Sequence, residues 1–100
     1  PGADAPAEPV DTQVQTEPTL SAEDIQLLAD QLLHEAEFVA AGYDYNKAIG
    51  LDPRLAEAYY NRGIAHVKNG NKAQGIRDLS HAGELGLYAA YSIIKQFSGK

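Results

Sequence analysis

The sequence predicts an all-α protein: a short right-handed α-solenoid of two helix-turn-helix repeats plus a terminal helix, with a disordered N-terminal arm. Three observations predict it. In Ala56–Leu87 apolar residues return at helical spacing, and Asn69-Gly70 breaks that stretch into two antiparallel helices. A shift of 34 residues superposes residues 22–55 on 56–89 without an insertion. Four of the five prolines fall within residues 1–19, ahead of any periodic stretch.

Residues 1–19 carry Asp4, Glu8, Asp11 and Glu17 and no basic residue. With so few apolar side chains they cannot offset the entropy of ordering, so they read as an extended acidic Pro/Ala-rich arm or linker. A short recognition segment centred on Val10 to Val14 is the alternative. The chain opens on Pro1 rather than Met and so reads as a processed or excised piece, with room upstream for a signal peptide or anchor. Such an arm fits a bacterial periplasmic tether and a cytoplasmic interdomain linker equally.

The helical domain spans residues 20–99. Ser21 is a good N-cap, Asp24 stands at the reciprocal capping-box position, and Leu20 with Ile25 can form a hydrophobic staple. Ile25, Leu28, Ala29, Leu32 and Leu33 then recur with helical period. His34-Glu35-Ala36-Glu37 holds no helix breaker, so either a tight turn forms without glycine or residues 22–50 run as one long helix. The register and Phe38 favour the turn. Asp52 and Pro53 then suit the cap and first turn of the next helix.

In the second repeat, Tyr59, Tyr60, Ala65 and Val67 mark the first helix, with Gly63 between them. Asn71 and Gln74 form a second capping-box pair, and Ile76, Leu79, Ala82 and Leu85 give the apolar stripe that Gly86 ends. Residues 88–98 make the terminal helix, placed where a third repeat would begin. Ile93, Ile94 and Phe97 make it too apolar for an ideal solvent-facing cap. Two repeats and a cap fall below the usual three, so the domain either belongs to a longer array or self-associates.

The residues Tyr59, Gly63, Gly75, Leu79 and Ala82 place bulky and small side chains in a pattern that resembles the tetratricopeptide repeat. The segment Tyr43 to Leu55, YDYNKAIGLDPRL, resembles that family's second helix and its link onward. Arg62, His66 and Leu87 stand where the family usually has leucine, tyrosine and proline. The resemblance implies a non-enzymatic module that binds a protein or peptide partner in a concave groove lined by the first helix of each repeat. Carried over by position, the groove candidates are Leu27, Asp30, Tyr60, Asn61, Ile64, Val67, Lys68, Tyr91, Ile94 and Lys95, with Gln26 and Leu33 beside them. Several of these, Ile64 and Ile94 above all, also suit plain packing against neighbouring helices.

Tyr60-Asn61-Arg62-Gly63 further resembles co-chaperones of the family that clamp a C-terminal carboxylate. However, Gln26, Asp30 and Tyr91 stand where that clamp has lysine, asparagine and lysine, and only Lys95 could substitute for its arginine. A hydrophobic segment with an acidic end fits the candidate face better.

Composition narrows the remaining classes. The 100 residues carry a net charge of −6 and no cysteine, which removes disulfides and cysteine–zinc sites. Ten acidic residues and no Lys or Arg lie in residues 1–46, whereas residues 47–100 hold eight basic and four acidic ones. That asymmetry allows head-to-tail attraction and a homo-oligomer, or is simply solvated surface. The acidic balance and scattered cations argue against nucleic-acid binding. No apolar run reaches a membrane-spanning length, so no membrane contact is expected of this piece. His34, His66 and His81 lack metal-ligand spacing, the glycines follow no phosphate-loop pattern, and Asp44 and Asp78 read as solvated helix charges. No cofactor and no catalysis are expected.

Overall fold

A computed structural model describes residues 19–98. The expected disordered arm, residues 1–19, lies outside them except for Thr19. Five helices follow in order: α1 (Ala22–His34), α2 (Phe38–Leu51), α3 (Ala56–Lys68), α4 (Lys72–Glu84) and α5 (Ala89–Ser98). Each packs on its chain neighbour, and α1 also touches α3. These are two helix-turn-helix repeats, α1–α2 and α3–α4, closed by a terminal helix.

The start of α1 is as the sequence predicts. Ser21 Oγ accepts the Asp24 N–H at 3.1 Å, and the Asp24 carboxylate accepts the Ser21 N–H at 3.2 Å, so two of the helix's orphan donors are satisfied. The first repeat does close with a turn. The Glu37 N–H donates to the Leu32 carbonyl at 2.8 Å and the Ala36 N–H to that of Leu33 at 3.0 Å, which is a Schellman motif. Ala36 takes the left-handed conformation, φ 64°, that the motif demands at this position. The same pair of bonds ends α3, with Gly70 at φ 92°, and ends α4, with Gly86 at φ 112°. One backbone device therefore stops three helices.

That device overrides two local expectations. Asn71 makes no side-chain cap on α4, and its N–H is given to the His66 carbonyl at 2.7 Å rather than to the Gln74 side chain that would complete a capping box. Nor does Asp52 cap α3. Asp52 Oδ1 accepts the Arg54 N–H at 3.1 Å and its carbonyl accepts the Leu55 N–H, so Asp52-Pro53-Arg54-Leu55 is a turn with proline at its second position. Helix α3 starts only at Ala56. The terminal helix begins at Ala89, one residue after the expected Tyr88, which is exposed.

Two apolar clusters hold the stack. Ala29, Ala41, Tyr45, Ala48 and Ala58 are wholly buried, with Ile25, Leu32, Leu33, Ile49 and Leu55 packed around them. Leu79, Ala82 and Ala90 form the second, surrounded by Tyr59, Tyr60, Ile64, Leu87, Ile93, Ile94 and Phe97. Ala58 of α3 lies in the first cluster and Ala90 of α5 in the second, so each new helix seals the repeat before it. Small residues set the helix spacing. A methyl group on Gly75 would meet the Val67 side chain and lie 2.6 Å from the Gly63 carbonyl. The first repeat has Ala29 and Ala41 at the matching positions.

Candidate protein-binding face

Helices α1, α3 and α5 carry all the groove candidates; α1 touches α3, and α3 and α5 both pack on the Leu79, Ala82 and Ala90 cluster. On α1, Leu27 is 64% exposed and Asp30 is half-buried. Asp30 is not a free anion: it accepts hydrogen bonds from the Tyr45 hydroxyl and, at 3.0 Å, from the Asn61 side-chain amide. That second bond joins α1 to α3. A parallel one joins Gln26 Nε2 to Glu57 Oε1 at 2.9 Å, leaving the buried Gln26 Oε1 without a hydrogen-bond partner. The seam between the first two repeats is thus polar, and it uses the Asn61 amide that a carboxylate clamp would need.

The seam towards α5 is apolar. Tyr60, Ile64 and Ile94 are half-buried against the Leu79, Ala82 and Ala90 cluster. The structure therefore brings these three candidates together with a packing role as well as a partly open surface. The Tyr91 ring lies over Gly83, closer than a methyl group there would allow, and the side chain still stays 47% exposed. Val67 is half-buried, while Lys68 and Lys95 are exposed at the end of α3 and on α5. Neither lysine has a salt-bridge partner among the described residues.

On the side formed with α2 and α4, sequence reading missed a polar cluster. Asp78, expected as a solvated charge, is only 9% exposed. Arg62 grips it in a fork, Nε to Oδ2 at 2.7 Å and Nη2 to Oδ1 at 2.8 Å. The remaining guanidinium nitrogen, Nη1, donates to Asn46 Oδ1 of α2 at 2.8 Å, and this hydrogen bond links Arg62 to the preceding repeat. The Asp78 hydrogen bonds push the Arg62 pKa further up, against the opposing effect of burial. His66 Nε2 lies 3.7 Å from Asp78, and the Tyr59 ring meets His81 edge-on at 4.3 Å. A signal for these pairs exists: Arg62 and Asp78 are equidistant in sequence from Gly70, as are Tyr59 and His81, and an antiparallel hairpin faces such positions.

A shallow 280 Å³ depression lies between α2 and the α3–α4 turn, lined by Phe38, Val39, Tyr43, His66 and Asn69 among others. Among the described residues no group of three or more His, Asp or Glu side chains could hold a metal ion. No described helix is long and apolar enough to cross a membrane.

A stack of antiparallel helix pairs, repeated with one constant period and offering faces rather than an enclosed chamber, defines a helical-repeat protein. The chain carries a tetratricopeptide repeat: residues 37–70 match the model of the family described as TPR repeat. That window runs from Glu37 through α2 and α3 to Gly70 and so spans the junction between the two helix pairs. The chain is also similar to a protein named Protein SGT1 homolog from Oryza sativa subsp. japonica, at 34% identity over 67 residues. The matched stretch covers 67% of this chain but only 18% of that protein.

Proposed function

We propose that this chain serves protein–protein interaction, as TPR repeats generally do, and that it acts without catalysis by holding a partner segment against the face formed by α1, α3 and α5. The observation that carries this reading is the pairing of partly open apolar side chains with unpaired cations. Tyr60, Ile64, Tyr91 and Ile94 offer apolar area that a partner can complete, and Lys68 and Lys95 flank it with charge that nothing in the described chain neutralises. Aromatic anchors of this kind supply most of the affinity at interfaces, and exposed cations supply orientation and on-rate.

The occupant suited to that surface is a short segment with one or two large apolar side chains next to an acidic residue. Asp30 would not oppose it strongly, because its carboxylate already accepts from Tyr45 and Asn61. A carboxylate clamp of the co-chaperone kind is not proposed, since Asn61 is engaged by Asp30 and no lysine stands at Gln26 or Tyr91.

Selection of random peptides on the immobilised chain tests the reading. Enriched peptides should combine apolar and acidic residues, and they should lose about tenfold or more in affinity on Tyr91→Ala and on the Lys68→Ala/Lys95→Ala double variant. The lysine variant guards against trivial unfolding, because both side chains are exposed. Peptides that bind all these variants as well as the parent would refute the assignment of the face.

A further inference from the structure

We propose that this chain stacks head to tail on further copies of itself, the open flank of α5 in one copy lying along the open edge of α1 in the next. The starting observation is what Arg62 does. On α3 it bonds to Asn46 of the preceding repeat, so its position marks the side on which a first helix meets whatever comes before it. The residue 34 places earlier on α1 is Leu28, and it is 52% exposed. No described helix precedes it.

The open stripe of α1 consists of Asp24, Leu28 and Gln31 and continues to Glu35 at its C-cap, all exposed and spaced at helical intervals. At the other end of the molecule α5 packs on α4 through Ala90, Ile93, Ile94 and Phe97. The side facing away carries Tyr88, 72% exposed, then Ser92 and Lys95. The two stripes match. Tyr88 and Lys95 have the same sequence separation as Leu28 and Glu35, so parallel helices can set tyrosine on leucine and lysine beside glutamate at once. Tyr88 directly precedes α5 and Glu35 directly follows α1, so the two contacts fall about 10 Å apart along either segment.

Charge selects this arrangement over the symmetric ones. Helix α1 and its turn carry Glu23, Asp24, Asp30, Glu35 and Glu37 with no Lys or Arg, while α5 carries Lys95 and no acid. Pairing α1 with α1 would bring acidic stripes together, and pairing α5 with α5 would bring the Lys95 side chains together. A head-to-tail contact uses different surfaces on the two copies and leaves a free end at every step, so it extends rather than closing at a dimer.

Sedimentation equilibrium over a wide concentration range, at low and high salt, tests the proposal. The expected result is an average mass that keeps rising with concentration and falls when salt screens the lysine–glutamate contact. Leu28→Ser should weaken association by about tenfold, because an exposed apolar contact is lost without a buried one. Lys95→Glu and Glu35→Lys should each remain monomeric alone, and an equimolar mixture of the two should associate again as alternating copies. That rescue cannot come from altered folding, since both positions are exposed. A monomer at every concentration, a mass that levels off at the dimer, or association unchanged in the three variants would each overturn the proposal. Leu28 and Glu35 lie outside the candidate peptide face, so peptide binding should survive in Leu28→Ser and Glu35→Lys whichever way this test falls.

Discussion

Arg62 stands where the family usually has a leucine, and Asp78 explains the exchange. The carboxylate is 9% exposed and receives two of the guanidinium's hydrogen bonds, so the pair substitutes for apolar packing along one side of the second repeat. Restoring the family residue alone should therefore harm the fold. Arg62→Leu strands Asp78 and should cost about 3 kcal/mol in urea denaturation, the low end of the range for a buried charge deprived of its partner. Adding Asp78→Leu should recover most of that loss, because an apolar pair of similar volume is close to neutral. Sequence reading took Asp78 for a solvated charge because it considered each helix by itself. Only counting outward from Gly70 shows which residues face across the hairpin.

Tyr45 is the other residue whose role the sequence showed only in part. Its place on the apolar stripe with Ala41 and Ala48 was legible; its hydroxyl bond to Asp30 was not, because that depends on how α1 lies against α2. Burial first, and then the bond to Asp30, push its pKa well above the ordinary tyrosine value of about 10. The sign follows from linkage. The unfolded chain loses this proton near pH 10 while the folded one keeps it, so the stabilisation is complete below pH 10 and declines as pH rises beyond it. Absorbance titration of the phenolates should show one of the six tyrosines ionising only as the fold is lost. Tyr45→Phe should remove that late step.

At the scale of the element, three Schellman motifs stop α1, α3 and α4, and two of them place glycine at the left-handed position. Gly70 and Gly86 made those ends legible in the sequence. The first end was ambiguous because Ala36 occupies the matching place, and an alanine there gives no warning of a turn. The bonds from Ala36 and Glu37 back to Leu33 and Leu32 are made all the same, at a conformational cost that glycine would avoid. Ala36→Gly should stabilise the domain by about 1 kcal/mol, seen as a raised urea midpoint with an unchanged slope. The motif also accounts for the missing Gln74 half of the capping box at Asn71. A capping box is a local pattern, and it fails where the chain has already committed the same N–H to the preceding helix.

At the scale of the whole molecule, the constant 34-residue register carried the architecture, since it sets which helix each residue belongs to and which face it shares. What the register could not carry is the difference between its two seams. The α1–α3 seam is a polar ladder through Gln26, Glu57, Asp30 and Asn61, whereas the side towards α5 is apolar through Tyr60, Ile64 and Ile94. Both seams occupy the same positions in the repeat, and their contents follow from the individual residues rather than from the pattern. The consequence is a face whose first half is tied across the seam by its own hydrogen bonds and whose second half is partly open, which is why partner binding is assigned to the Tyr60, Tyr91 and Lys95 end. The measurement that bears most directly on this is an NMR titration of the labelled chain with the tightest peptide from the selection described above. Amide shifts should concentrate on α3 and α5 around Tyr60, Ile64, Tyr91 and Lys95, with α2 nearly silent. Shifts confined to α2 and the α3–α4 turn, around Val39, Tyr43 and Asn69, would contradict the account and move the binding surface to the opposite side of the stack.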